Sequence, residues 1–332
     1  MEYRLLIVIL NYIATEVTLD CLQSLSNCPA VTGGEARVVV WENGTGEQAV
    51  ATLERAIALN HWEAWAELLI SPVNLGFTGG NNRVIERAML AGDRPEYFLL
   101  LNSDTLVTDD SLISLLAFMD NHPQAGIAGS RLLTVNGEHQ CSPFRFPGIA
   151  SEFDRGLKLG VVSRLLSNRA AAMPPPSHET QVDWVSGASM MLRRKMLEQI
   201  GLLDEGFFTY FEDVDLCRRA HRSGWGVWYV PASQVIHLEG ASSGISSHIA
   251  KRRPSFWFAA RRRYFLKHHG KWTASLVDAL FLVAFATWRL RRRIQRKPET
   301  DPVCMLGDFM RNSVFAKGYR LPVVVAPHVK PD

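Results

Sequence analysis

Three clusters hold most of the side chains in this sequence that could do chemistry: Asn102-Ser-Asp104, Glu212-Asp213 and the isolated His237. An asparagine and an aspartate two positions apart at a strand end can both reach a common cleft. A carboxylate there suits a hard divalent cation such as Mg²⁺ or Mn²⁺, which takes oxygen ligands and keeps phosphate oxygens and water in its shell. Asp104 alone is too little for such a site, and a nucleotide diphosphate would bring the remaining negative charge. His237 follows the apolar Val235-Ile236 and precedes Glu239, Gly240 and two serines; it reads as a further metal ligand, a diphosphate contact or a structural histidine. Glu212 and Asp213 stand at or before the first turn of an expected helix, where free amides orient carboxylates. One can take a proton from a hydroxyl while its neighbour holds the molecule that carries it. Asp215 and Arg218, three apart, are expected to pair on that helix.

The segment Asn74-Leu-Gly76-Phe77-Thr-Gly79-Gly80-Asn81-Asn82 adds glycines for close approach and amides for a ligand. It lacks the Lys-Ser/Thr of a Walker loop and the spacing of a dinucleotide fingerprint, which disfavours ATP hydrolysis and NAD binding. No GxSxG elbow, HExxH helix or kinase motif set is present, so serine hydrolysis, zinc proteolysis and protein phosphorylation have no support. Each cluster also has a plainer reading as a turn, a cap or a packed entry to a helix; the combination is more specific than any member.

The elements that must position these residues form a repeating pattern. Leu5 to Leu10 and Arg37 to Trp41 read as buried strands with a helix, Glu16 to Leu25, between them, which is a βαβ start. Helix from about Gly46 to Leu59, strand at Leu68 to Ile70, helix at Arg83 to Ala91 and strand at Tyr97 to Leu101 follow. Strands thus end in polar residues at Asn11-Tyr12, Glu42-Asn43 and Asn102-Asp104, and crevices beyond such carboxyl ends are where open α/β sheets bind ligands. A capped helix is expected from Asp109 to Met119. Residues 141 to 180, with Pro143, Pro147 and Pro174 to Pro176, read as an irregular excursion over the active face. Later elements are a strand at Val182 to Met191 interrupted by Gly187, helices at Lys195 to Ile200 and Leu216 to His221, a strand at Val227 to Val230 and a basic aromatic helix at Phe256 to His268.

Charge is uneven along the 332 residues, whose net charge is only +3. Residues 251–300 hold fourteen Lys or Arg against Asp278 and Glu299, a local +12, on an otherwise acidic chain. Such a patch can attract an anionic membrane surface, a phosphate-bearing substrate or nucleic acid. Ala274 to Trp288 is apolar except for Asp278. That is short for a membrane span, so a helix lying in the membrane interface, a helix packed within the protein and a true span all stay open. The five cysteines are scattered without a CxxC pair and read as reduced residues of a cytosolic protein. The apolar run at Leu5 is too short for a signal peptide and reads as a strand.

With these residues in place, the chain resembles the inverting family-two glycosyltransferases, especially the rhamnosyltransferase-like enzymes of cell-envelope polysaccharide synthesis. The motifs that carry the resemblance, from the first strand to about residue 270, are Val8-Ile-Leu-Asn11-Tyr12, Glu42-Asn43, Asn74 through Asn82, Leu101-Asn102-Ser-Asp104, Trp184-Val-Ser-Gly187-Ala188, Tyr210-Phe-Glu212-Asp213-Val-Asp215-Leu and Val235-Ile-His237. The resemblance implies an α/β GT-A fold, a nucleotide-diphospho-sugar transferase fold with a Rossmann-like mixed sheet flanked by helices. It implies a catalytic domain over residues 1–270, with its nucleotide half at about 1–105 and its acceptor half at about 106–270, and a carboxyl-terminal extension at 271–332. Asn11, Tyr12, Glu42 and Asn43 would surround the base and ribose, Glu42 standing where the family commonly has aspartate. Asn74, Gly76, Phe77, Gly79, Asn81 and Asn102 would line the donor. Asp104 and His237 would hold Mg²⁺ or Mn²⁺, Asp213 would be the base, and Trp184, Gly187 and Glu212 would shape the acceptor side. Arg261 would help to hold the leaving diphosphate.

The implied function is inverting transfer of a sugar, L-rhamnose from dTDP-L-rhamnose first, with UDP-linked galactose, glucose or N-acetylhexosamine as alternatives. The implied partners are the nucleotide sugar and a lipid-linked or polymeric glycan acceptor, with self-association left open; the location expected from the sequence is cytoplasmic, with peripheral attachment to the anionic cytoplasmic face of the cell membrane left open by the basic segment. A basic nucleic-acid-binding module is the non-enzymatic alternative, resting only on the basic aromatic clustering after residue 250.

Overall fold

The structure, a computed structural model, describes residues 3–91, 95–238 and 252–323. In the first part of the chain the elements are β1 (Leu5–Asn11), α1 (Thr15–Leu25), α2 (Pro29–Thr32), β2 (Ala36–Asn43), α3 (Glu47–Leu59), β3 (Ala66–Ser71), α4 (Gly76–Leu90), β4 (Tyr97–Asn102), β5 (Thr105–Val107) and α5 (Ser111–Asn121). There follow β6 (Ala125–Leu133), β7 (His139–Gln140), β8 (Pro143–Phe144), α6 (Ile149–Leu157), α7 (Gly160–Leu165), β9 (Thr180–Gln181), β10 (Trp184–Val185), β11 (Ser189–Arg193) and α8 (Arg194–Ile200). The chain continues through α9 (Glu212–Arg222), β12 (Gly226–His237), α10 (Ser255–Ile294), α11 (Met305–Asn312) and α12 (Val314–Lys317).

Two compact units share these elements. The first comprises Met1–Phe144, Pro174–Asp204 and Asp213–Ser246; the second comprises Arg145–Met173, Glu205–Glu212 and Ser247–Asp332.

The first unit is built on a mixed sheet of order β3-β2-β1-β4-β11-β6-β12-β5. β3, β2, β1 and β4 run parallel, and their core is apolar on both faces: Leu5, Ile7 and Ile9 pack with Cys21, Leu22 and Leu25 of α1, while Leu6 and Val8 are also buried. That double burial is why these strands read as continuous apolar runs rather than alternating ones. Registers align their ends, with Asn11 beside Glu42 and Leu10 beside Asn102. β11 runs antiparallel to β4, with Ser189 opposite Leu101, and antiparallel to β6. The turn before it therefore lies at the edge where the parallel strands finish.

Two helices begin earlier than their periodicity suggests. α4 starts at Gly76, inside the glycine-asparagine segment expected to precede it, and α9 starts at Glu212 rather than Leu216. In the first case tertiary contacts override poor helix formers: Gly80 lies where a Cβ would come within 2.9 Å of Leu10 and 3.1 Å of Trp41, so glycine lets the helix approach β1 and β2. The helix at residues 111–121 also differs in detail, since its N-cap Asp110 makes no side-chain capping bond. The interrupted strand at 182–191 is resolved into β10 and β11, and the two apolar stretches near residue 230 form one strand, β12, whose pairing with β6 slips between Val230 and Gln234.

The second unit is helical. Its residues 145–173, expected to be irregular, contain α6 and α7. α10 runs for 40 residues with a kink at Gly270, whose φ of +75° and ψ of 175° are non-helical, so two helical stretches meet there. Its core gathers Trp257, Phe258, Phe281, Phe285, Trp288, Met305 and Phe309, with Tyr210 and Phe211 against it. Tyr210 and Phe211 have φ of 72° and 68°, left-handed values that cost non-glycine residues about 1–2 kcal/mol each. Aromatic packing holds them there: Tyr210 stacks on Phe256 at 6.0 Å and Phe211 meets Trp257 edge-on at 6.1 Å. The strained pair immediately precedes Glu212.

Candidate active site

The carboxyl ends of β1 and β2 are closed by their own polar residues. Asn11 is fully buried and its side-chain oxygen accepts from the Thr18 hydroxyl at 2.9 Å; the half-buried Tyr12 follows. Glu42 is 1% exposed, and its two oxygens accept from the amides of Gly44 and Thr45 at 2.8 and 2.7 Å. Gly44 has a φ of +83°, and a Cβ there would meet the Val73 backbone at 2.6 Å, so only glycine serves. Asn43 then reaches into α4: its amide nitrogen donates to Asn74 Oδ1 at 3.1 Å and to the Gly76 carbonyl at 3.2 Å, while its oxygen accepts from the Leu75 amide. Asn74 Oδ1 also accepts from the Gly76 amide at 2.8 Å. These bonds do the capping that the sequence of this helix start lacks. Gly79 packs tightly on Leu75. On the same early turns the Asn81 side-chain oxygen and the Thr78 hydroxyl are buried without a hydrogen-bond partner among the described residues.

At the end of β4 three expected residues converge. β12 pairs antiparallel with β5 so that His237 stands opposite Thr105. This brings its Nε2 to 3.4 Å from Asp104 Oδ1 and 3.3 Å from the Asn102 amide nitrogen. Asp104 is 2% exposed. The outer side of His237 is gripped by a residue the sequence did not single out, Gln140 of β7. Its amide nitrogen donates to the His237 carbonyl at 2.9 Å and its oxygen faces His237 Nδ1 at 3.2 Å. An amide oxygen can only accept, so Nδ1 donates to Gln140 and Nε2 is the ring nitrogen left on the Asp104 side. Glu239, Gly240 and the two serines beyond lie outside the described residues.

This pair fits a divalent cation delivered with a diphosphate. Two ligands at about 2.1 Å from one ion and at right angles lie about 3 Å apart, close to the separation found. Among the described residues there is no group of three or more His, Cys, Asp and Glu side chains for a metal, so phosphate oxygens and water would fill the remaining positions.

Asp213 lies in the first turn of α9. One oxygen accepts from the Val214 amide at 2.8 Å and the other from the Gly187 amide at 3.3 Å. Desolvation is the largest influence on its carboxyl and outweighs these amides, raising the pKa to about 6. Gly187 is the meeting point of three segments: a Cβ built on it would lie 3.4 Å from the Phe77 ring and 3.7 Å from Asp213 Cβ. The adjoining Ala188 carbonyl accepts from the Asn102 amide at 3.0 Å. One hydrogen bond therefore links the turn that holds Asp213 to the turn that holds Asp104. Trp184, in β10, stacks on Phe144 at 4.1 Å and 11°. Glu212 is buried, at 6% exposure, as the final residue of the second unit's short segment.

Two expectations need correction. Arg261 is enclosed in the second unit, 3% exposed, with its Nε donating to Glu152 at 2.7 Å and its Nη1 to Asp278 at 2.6 Å. Those carboxylates already neutralise the guanidinium expected on the diphosphate. Asp215 is bonded at 2.9 Å by Arg219, four residues on, where Arg218 was expected; Arg219 also donates to the Leu202 carbonyl at 2.6 Å and so ties α9 to the loop after α8. A depression of about 510 Å³ lined by Arg131, Ser177, His178, Glu179, Pro231 and Ala232 includes none of the expected site residues.

A family model described as glycosyltransferase like family 2 matches residues 3–265. The chain belongs to that family. Among relatives of this glycosyltransferase, the N-acetylglucosaminyl-diphospho-decaprenol L-rhamnosyltransferase of Mycobacterium tuberculosis is 30% identical over 224 residues, covering 63% of this chain and 70% of its own. The rhamnosyltransferase WbbL of Escherichia coli K12 is 30% identical over 168 residues, covering 48% and 60%. The mannosyltransferase PcManGT of Pyrobaculum calidifontis, solved with GDP-Man and Mn²⁺, superposes with a TM-score of 0.54 at 13% identity over 96% of this chain and 84% of that one. The glycosyltransferase thus has the GT-A fold, as the mixed sheet and its flanking helices require.

Proposed function

We propose that the enzyme transfers L-rhamnose from dTDP-L-rhamnose, with inversion, to a hydroxyl of a lipid-linked or growing cell-envelope glycan. The observation that carries this reading is the junction at Gly187, which holds Asp213 and, through Ala188 and Asn102, stands one hydrogen bond from the Asp104–His237 pair. The names of the two rhamnosyltransferase relatives support the choice of sugar.

Asp213 takes the proton of the acceptor hydroxyl as its oxygen attacks the anomeric carbon. The bond to the diphosphate breaks on the opposite face, and its electron pair leaves with the diphosphate. A carboxyl with a pKa near 6 is ionised at neutral pH yet more basic than an ordinary aspartate, which suits a general base. Glu212 and Trp184 are assigned to the acceptor. Asn11, Tyr12, Glu42 and Asn43 are assigned to the nucleoside, and the first turns of α4, with the unsatisfied Asn81 oxygen, to the donor. Asp104 and His237 would hold Mg²⁺ or Mn²⁺, which when bound neutralises charge growing on the leaving group. The test is calorimetry of the purified protein with Mn²⁺ against dTDP-L-rhamnose, UDP-galactose, UDP-glucose and UDP-N-acetylglucosamine, followed by product mass. Binding of dTDP-L-rhamnose alone is expected, and preference for a UDP-sugar would replace the donor assignment.

A further inference from the structure

The outer side of α10 carries an apolar stripe that is open to solvent among the described residues. Trp272, Leu276, Val283, Leu290 and Ile294 are 79%, 47%, 64%, 63% and 74% exposed. Their separations of four, seven, seven and four residues put them on one side of the helix. The opposite side, with Ala274, Val277, Phe281, Ala284, Phe285 and Trp288, is buried. The helix is therefore apolar on two sides and, among the described residues, packed on only one. From Trp272 to Trp288 its one charged residue is Asp278, which is turned inward onto Arg261 and the Val314 amide. Tyr319, half exposed, joins the stripe by its hydrogen bond to Ser275 at 3.0 Å. An exposed apolar patch of this extent calls for a partner.

Charge says which partner. Exposed Lys271 stands at one end of the stripe, and exposed Arg289, Arg293, Arg296 and Lys297 at the other. A helix carboxyl end favours basic residues in its last turn, but six stand in the nine positions 289–297, continuing past the helix end. We propose that this side of α10 lies flat in the headgroup interface of an anionic bilayer, with Trp272 and the aliphatic residues inserted and the arginines and lysines on lipid phosphates. From Trp272 to Ile294 the stripe runs about 33 Å along the surface. α10 is long and apolar enough to cross a membrane, yet spanning would strip its inner side from Phe258, Met305 and Phe309 and expose Asp278 to hydrocarbon. A second copy seated on the same stripe would bring two segments of charge +12 together.

The test uses the full-length protein with vesicles of equal parts phosphatidylcholine and phosphatidylglycerol. Sedimentation with these vesicles is expected, falling at least about tenfold with phosphatidylcholine alone or in high salt. Replacing Leu276, Val283 and Leu290 by Glu should leave the protein in the supernatant while donor binding is unchanged; should that protein fail to fold, Val283→Glu alone is expected to lower vesicle binding. Undiminished vesicle binding by a folded variant, or no binding by the unaltered protein, overturns the proposal. So does a dimer that the variant converts to monomer, which would name a second copy as the occupant. Retention in cell membranes through alkaline carbonate extraction would instead indicate a span and equally overturn it. Because the readout is lipid binding, its failure leaves the donor assignment standing, and the reverse also holds.

Discussion

At Asp213, the proposed base, stability and the proposed function pull in opposite directions. Burial raises the carboxyl from an ordinary 3.8 to about 6, so the folded state binds a proton more tightly than the unfolded chain does. Its ionisation disfavours folding increasingly as pH rises from about 4 to 6, and that penalty is complete above 6. Asp213→Asn should therefore raise the melting temperature, by on the order of 1 kcal/mol of stability once solvent screening is allowed for. It should leave donor affinity intact and lower transfer by a factor of at least about 10³; turnover close to normal would remove Asp213 as the base. In the unaltered enzyme kcat/KM should fall tenfold per pH unit below about 6, as a base that must be ionised requires. Gln140 makes a different demand, since it fixes which nitrogen of His237 faces Asp104. Gln140→Ala should weaken Mn²⁺-dependent donor binding roughly ten- to a hundredfold, measured by calorimetry, with little change in metal-free affinity. Asp104, Asp213 and His237 stood out as candidates because a charged or imidazole side chain at the end of an apolar run is conspicuous. Gln140 was not, because an amide in a two-residue strand has no local pattern. Arg261 misled for a related reason: its carboxylate partners come from 109 residues before it and 17 after it, and nothing local in a basic cluster announces them.

At the scale of elements, the arginine held between α6 and α10 is the main charged feature of the second unit. Desolvation by itself would raise Glu152, but Arg155 and Arg261 outweigh it and hold its carboxyl at about 2. A carboxyl lowered on folding contributes stability above its ordinary value of 4.5 and loses it as pH falls from there toward 2. Glu152→Ala should cost about 3–5 kcal/mol, because it leaves Arg261 buried with half its partners, and thermal unfolding followed by circular dichroism would show it. An unchanged melting temperature would mean that water replaces the carboxylate. Apolar periodicity made β1 to β4 with α1 and α3 legible, but not β6, α6, α7, α11 or α12, nor the boundaries of α4 and α9. In α4, Asn43 and Asn74 complete the helix start from outside its periodic stretch. In α9, the turns containing Glu212 and Asp213 precede the apolar positions that signal a helix.

At the scale of the whole chain, sequence revealed a basic carboxyl-terminal region and suggested an extension beginning at residue 271; in the structure this region enters the second unit. That unit is assembled from three separated segments, one of them only eight residues long, Glu205–Glu212. A segment this short has no periodicity of its own and owes its place to Tyr210 and Phe211 packing on α10. The family and the order of its motifs were readable because strand ends and turns keep their spacing along the chain. The apolar stripe of α10 was readable only as apolar sequence, since periodicity cannot tell a packed side from an open one when both are apolar.

The reversed direction of β11 matters for how such an enzyme could be diversified. An antiparallel strand enters the sheet where its parallel neighbours leave it, so the residues before β11 and those after β4 are fixed to each other by main-chain pairing, Ala188 to Asn102, and not by the loops around them. On the proposed assignment, the distance between the leaving-group side and the proton-accepting side is thus a property of the backbone lattice. Segments that do not pair with that lattice, such as residues 174–179, can be exchanged or lengthened while Ala188 and Asn102 stay in register.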